Sequence, residues 1–174
     1  MITTQASAAI QLVTPFPLEL HGMLHRWMLE FPERTLDDFW PRNPQAFSDA
    51  IEARSIAEKT FLVTEDEKPV GFIGYCRITS HLGSLRGVCF TREVHGNGTA
   101  VRVVRKLLQC EFDEGVHKIM AFPFTDNLRA IAFYKKLGAI KEGTLAKHTI
   151  RGGKVTDLLA MAFFAPADGY RSLA

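Results

Sequence analysis

Between Phe90 and Ala100 the chain changes its period. Leu85-Arg86-Gly87-Val88-Cys89-Phe90-Thr91 reads as a strand, and two glycines follow in His95-Gly96-Asn97-Gly98. From Thr99 to Glu114 the apolar residues Val101, Val104, Leu107, Leu108 and Phe112 then fall on one helical stripe, with Gly115 at the C-cap. Such a turn aims backbone N–H groups and the positive end of the helix dipole at one place, where an anion such as a phosphate is held. Glycine suits it because a Cβ would keep the anion off the backbone or block the required φ. Two other phosphate loops do not match. A P-loop needs Lys after Gly98, and the dinucleotide fingerprint needs a small residue at position 101, which is Val.

The rest of the chain surrounds this turn with a definite order of elements. Ala8 to Val13 reads as a strand, halted by Pro15 and Pro17, and Leu18 to Leu29 as a helix with Leu20, Met23, Leu24, Trp27 and Met28 on one side. Residues 31–41 form a short helix or an ordered loop, and Asn43-Pro44 starts a helix over Gln45 to Ala53. Thr60–Thr64, Pro69–Ile78 and Leu85–Thr91 make an antiparallel meander, with a turn over Thr79 to Gly83. Beyond the long helix come a strand at Lys118–Pro123 and a helix capped by Asp126 or Asn127 that ends at Gly138. A hairpin of Ala139–Thr149 and Val155–Phe164 closes the chain around Arg151-Gly152-Gly153-Lys154.

At 174 residues one compact domain is expected. A net charge of +2 is too small for a nucleic-acid-binding field, and no apolar run is long enough to span a bilayer, so neither nucleic acid nor membrane is an expected partner. The cysteines Cys76, Cys89 and Cys110 are odd in number and widely spaced, which fits neither a disulfide framework nor a metal site. A reducing cytoplasm is the default compartment.

At the glycine turn the chain resembles the GNAT superfamily of CoA-dependent N-acetyltransferases. That family's phosphate signature is Gln/Arg-x-x-Gly-x-Gly/Ala, and His95-Gly96-Asn97-Gly98-Thr99-Ala100 stands in its place, with His at the first position. Downstream, Asn127-Leu128-Arg129-Ala130-Ile131-Ala132-Phe133-Tyr134-Lys135-Lys136-Leu137-Gly138-Ala139 is similar to Asn-x-x-Ala-x-x-Phe-Tyr-x-x-x-Gly-Phe, with Ala139 for the aromatic. The stretch Gly143-Thr144-Leu145 to Gly153-Lys154 and Asp157 also resembles the branch that acetylates N-termini of ribosomal proteins.

The resemblance implies an α/β (α+β) fold: a mixed, mostly antiparallel central sheet flanked by about four helices and splayed between its fourth and fifth strands. Residues 1–58 would form the acceptor side, and residues 59–164 the acetyl-CoA-binding core and C-terminal hairpin, of one acyltransferase-like domain. It further implies acetyl-CoA as co-substrate without a metal. His95, Gly96, Asn97, Gly98, Thr99 and Ala100 would meet its pyrophosphate, and Arg102 or Arg105 its 3'-phosphate. The main chain of Phe90 would meet its pantetheine and thioester, Asn127 would be a cap or a contact, and Tyr134 would protonate the departing sulfur.

The base that accepts the amine's proton stays open among Glu93, His81, His25, Glu33, Asp38 and ordered water. Cys89 reads as a core residue rather than a nucleophile. Trp27, Phe31, Phe39 and Trp40, with Glu33, Asp37 and Asp38, are the expected wall of a pocket for an amine-bearing small molecule or protein N-terminus. The competing readings are a noncatalytic acyl-CoA-binding module and a nucleotide-binding domain of another fold. The sequence is compatible with a homo-oligomer.

Overall fold

The computed structural model describes residues 8–13, 17–30, 40–54 and 58–166. The elements run β1 (Ala8–Val13), α1 (Leu18–Glu30), α2 (Pro44–Arg54), β2 (Lys59–Glu65), β3 (Lys68–Arg77), β4 (Leu82–Phe90), α3 (Thr99–Asp113), β5 (Lys118–Ala121), α4 (Leu128–Lys136), β6 (Ile140–Arg151) and β7 (Lys154–Phe164). A 3-10 turn at Arg92–Val94 separates β4 from the glycines. The described strands form one sheet in the order β1-β2-β3-β4-β5-β7-β6, antiparallel except where β4 meets β5.

Apolar residues occupy both faces of this sheet. On one face Ile73, Tyr75 and Leu85 pack against Val103, Val104, Leu107 and Leu108 of α3, while Ile131, Phe133 and Tyr134 of α4 join the same cluster. On the other, Phe72 and Cys89 meet Leu24 and Met28 of α1 and Phe47 of α2. Burying side chains of this size contributes about 1.5–3 kcal/mol each, so the two helical layers hold the sheet from both sides. Arg77 of β3 ties α3 down, donating to Glu111 at 2.6 Å and to Glu114 at 2.8 Å.

Several expected boundaries shift. The turn before β4 is shorter than Thr79 to Gly83. Ile78 and Thr79 donate backbone N–H groups to the Leu82 carbonyl, so β4 starts at Leu82 and Gly83 lies within it, pressed against the Tyr75 ring. The strand expected over Lys118–Pro123 ends at Ala121, because Pro123 has no N–H to continue a ladder. Of the two cap candidates Asn127 holds the position, its side chain accepting from the Ala130 N–H at 3.1 Å. Asn43 caps α2 in the same way, accepting from Gln45 at 2.9 Å and Ala46 at 3.2 Å. The reading of residues 31–39 lies outside the described residues.

Candidate active site

The sheet comes apart in its middle. β4 and β5 pair over only three residues, Leu82 with Lys118, Gly83 with Ile119 and Ser84 with Met120, and beyond Ser84 the two strands diverge. On its other edge β4 stays paired with β3, and there the register fixes the direction of its peptide groups. Thr91 donates to the Val70 carbonyl at 2.9 Å, which makes Gly71–Phe90 a non-hydrogen-bonded pair. In such a pair neither residue's own N–H nor C=O points at the partner strand, and the pattern repeats every second residue. The peptide groups of Phe90 and Val88 therefore face the splay.

The Phe90 carbonyl is covered. His95 Nε2 lies 3.1 Å from it, and because a carbonyl only accepts, the ring donates there. Burial, and next the positive charge of Arg129, hold the His95 pKa below the ordinary histidine value. His95 is thus a neutral imidazole folded back over the end of β4.

The glycines then turn the chain into α3. Gly96 has φ 85° and Gly98 φ 87°, conformations that other residues adopt only with strain. The Asn97 carboxamide accepts from the Thr99 N–H at 2.9 Å, closing the turn from inside. Thr99 is fully buried and donates its hydroxyl to Glu65 at 2.9 Å, while the same oxygen accepts from Arg102 at 2.9 Å. Arg102, one of the two arginines expected near the 3'-phosphate, thus braces the first residue of α3. A Cβ at Gly96 would meet no atom of the described residues within 4 Å, and one at Gly98 would lie 3.5 Å from the Arg102 guanidinium.

A cavity of about 830 Å³ runs through the splay. Phe90, His95, Ala100, Asn127 and Tyr134 line it, so five of the nine expected site residues share one space; Gly96, Asn97, Gly98 and Thr99 form the turn beside it without lining it. The loop carrying Asn127 is held against the terminal hairpin. Leu159 donates to the Pro123 carbonyl at 2.9 Å, and Arg151 pairs with Asp126 while lying 4.4 Å over the Phe124 ring. Tyr134 packs edge-on to Phe163, with ring centroids 6.0 Å apart. Burial pushes its hydroxyl pKa up to about 12, so the phenol stays protonated well beyond neutral pH.

The acceptor-side expectations are met unevenly. Trp40 lines the cavity; Trp27 packs in the α1–α2 cluster instead, and Phe31, Glu33, Asp37, Asp38 and Phe39 lie outside the described residues. Of the described base candidates none lines the cavity. His81 sits at the far end of β4, stacked on His117 with centroids 5.0 Å apart. His25 is buried against Phe47, and Glu93 is exposed and accepts from Thr91. Burial pushes the Cys89 thiol up to about 12, with Glu30 adding to the shift, which leaves it a poor nucleophile.

Sequence reasoning missed four ionisable lining residues: Glu58, Arg86, Arg129 and His148. A lone Arg inside the apolar strand Leu85–Phe90 was a signal for the second; Glu58, just ahead of a strand, carried none. His148 follows Lys147, a residue at φ 54° whose N–H donates to Asp157 at 2.7 Å, in a stretch where β6 slips its register against β7. Among the described residues no cluster of three His, Cys, Asp or Glu side chains suits a metal, and no helix is long and apolar enough to cross a membrane.

A mixed sheet that parts beside a glycine-turned helix start, with helices on both faces and a cavity through the parting, defines the N-acetyltransferase class of fold. The model of the Acetyltransferase (GNAT) family matches residues 20–139, and the chain belongs to that family. Similar curated proteins include the L-amino acid N-acetyltransferase AaaT of Escherichia coli (strain K12), 33% identical over 84 residues, which are 48% of this chain and 51% of that protein. The uncharacterized N-acetyltransferase YobR of Bacillus subtilis (strain 168) is 25% identical over 112 residues, 64% of this chain and 44% of that one. The chain thus spans about half the length of these relatives. Among solved structures, spermidine N-acetyltransferase from Vibrio cholerae in complex with CoA and spermine has a TM-score of 0.73 at 16% identity, covering 91% of this chain and 95% of that one. A putative phosphinothricin N-acetyltransferase also has a TM-score of 0.73 at 16% identity, covering 92% and 99%. These likenesses establish the fold.

Proposed function

We propose that this chain transfers the acetyl group of acetyl-CoA to a primary amine by direct attack in a ternary complex. The observation that carries the reading is one cavity lined by the outward-facing peptide groups of Val88 and Phe90 and by the protonated phenol of Tyr134, with the glycine turn at the start of α3 beside it. The residues fit the co-substrate. The turn offers first-turn N–H groups and the helix dipole to a diphosphate, and the diverging edge of β4 offers an unpaired strand edge to an extended, amide-bearing arm. Bound there, acetyl-CoA would supply an activated thioester: a neutral amine adds to its carbonyl carbon, the C–S bond breaks as the carbonyl re-forms, the sulfur takes the Tyr134 proton, and the proton lost by the nitrogen passes through water and restores the phenol.

The chain's own groups then have separate tasks. A peptide N–H facing the splay stabilises the negative charge that develops on the carbonyl oxygen. The Tyr134 hydroxyl holds a proton for the leaving sulfur, a task suited to a weak acid kept neutral by burial. His95, by capping the Phe90 carbonyl, holds the end of β4 in the conformation that keeps the neighbouring N–H aimed outward. Leu24, Met28 and Phe72 give the acceptor end an apolar wall.

Thiol release from acetyl-CoA, measured with a panel of primary amines beside calorimetric titration of CoA, tests the reading. Binding with amine-dependent release supports it. Binding without release for any amine identifies a noncatalytic acyl-CoA module, and protection from heat by ATP or NAD but not CoA identifies another nucleotide ligand.

A further inference from the structure

We propose that Arg86 binds the carboxylate of the acceptor, and that the acceptor is an amino acid with an apolar side chain; this rests on the acetyl-transfer reading above. The argument begins with how Arg86 reaches the cavity. Gly74 of β3 pairs with Gly87 and Tyr75 with Leu85, so Arg86 is the additional residue of a β-bulge and has no partner across the pair. Bulges bend a strand and re-aim a side chain, and here the re-aimed side chain is a guanidinium that lines the cavity on the acceptor side of the splay. In regular register an Arg in this apolar strand would follow the strict alternation of its neighbours.

The electrostatics give the sign of the ligand. Among the described residues the cavity is lined by one carboxylate, Glu58, against two guanidinium groups, Arg86 and Arg129. Glu58 lies 3.8 Å from the Arg86 Nε; its side chain is 21% exposed and that of Arg86 43%, so the ion pair engages one side of the guanidinium and leaves the rest open to a ligand. It stands just ahead of β2, where Lys59 pairs with Tyr75 and Thr60 with Gly74, and so reaches Arg86 across β3. Glu58 is a positioning residue, and the two terminal guanidinium nitrogens present the planar fork that suits a second carboxylate. A ligand carrying several ammonium groups would meet a cation there with its counter-charge already engaged.

Spacing and walls narrow the class. Arg86 stands two residues before Val88 on β4, roughly 7 Å along the strand, and both line the cavity, so a carboxylate on the guanidinium shares that space with the peptide groups facing the splay. Leu24, Met28, Trp40, Ile51 and Phe72, which line the cavity from the α1–α2 side, are apolar or aromatic and accept a side chain of the same kind.

The test is kcat/KM by thiol release for the common L-amino acids, for the amine made from each by loss of its carboxylate, and for spermidine. Apolar amino acids are expected to exceed their decarboxylated counterparts at least tenfold. Arg86→Gln should raise KM for them at least tenfold with kcat within about threefold, and Arg86→Lys should recover part of that loss. Glu58→Gln should raise KM by a smaller factor. Melting temperature and CoA affinity, both expected within error of wild type, report whether the variants fold. Equal or better turnover of the carboxylate-free amines or of spermidine overturns this inference while acetyl transfer stands; no release with any acceptor overturns both.

Discussion

The imidazole of His95 donates to the carbonyl of Phe90 at 3.1 Å, closing the end of β4 with a side chain from the very loop that turns into α3. One residue thereby links the strand edge to the glycine turn. Because burial and the neighbouring Arg129 depress its folded pKa, the unfolded chain takes up a proton first as pH falls. The stability held by neutral His95 is therefore fully present above about pH 6.5, the ordinary histidine value, and is lost as pH falls below it. His95→Gln keeps an N–H donor that does not titrate. Urea midpoints at pH 7 and pH 5 should fall further for wild type than for H95Q, and equal falls would remove His95 as the titrating group.

Gly98→Val tests the turn. At φ 87° a β-branched residue carries backbone strain of about 1–2 kcal/mol or more, and its side chain grows toward the Arg102 guanidinium and the outer face of the turn. CoA affinity should drop at least tenfold, about 1.4 kcal/mol. Gly98→Asn separates the two causes, since Asn tolerates the left-handed region. It should melt closer to wild type and still bind CoA weakly. Wild-type affinity in both variants would mean that the diphosphate is held elsewhere.

The parts of this architecture that were legible in the sequence are those set by local chemistry. The amphipathic stripe Val104–Leu107–Leu108, the Asn127 and Asn43 caps and the Arg151–Lys154 turn each carry their instruction within a few residues. The start of β4 was misplaced because the Ile78 and Thr79 bonds to Leu82 close the turn early, which no periodicity announces. Arg86 and Glu58 stayed hidden for a different reason. Their meeting depends on a bulge and on pairing across β3, both products of register between strands and not of any one segment.

Tyr134→Phe should lower kcat by about 10²–10⁴, the usual worth of a positioned acid or base, while the Kd for acetyl-CoA stays within about threefold. Phe keeps the packing on Phe133 and Phe163, so the melting temperature should hold. With the wild-type hydroxyl raised to about 12, its own ionisation leaves the rate untouched up to about pH 10. Parallel losses of kcat and of affinity would make Tyr134 a wall of the cavity and not its acid.

Cys89 and Cys110 should separate cleanly under alkylation. Cys110 is exposed on α3, whereas Cys89 is 6% exposed and packs with Phe72 and Met28 beneath α1. Burial, reinforced by Glu30, raises the Cys89 thiol to about 12, so its thiolate fraction near pH 8 falls far below that of an ordinary cysteine. Iodoacetamide at pH 8, followed by peptide mass spectrometry, should modify Cys110 within minutes and Cys89 only after urea unfolds the chain. Cys89→Ala should retain acetyl transfer, since direct attack by the amine requires no acyl-enzyme. Labelling of native Cys89 as fast as Cys110, or loss of transfer in Cys89→Ala without loss of folding, would point instead to a covalent route through this sulfur.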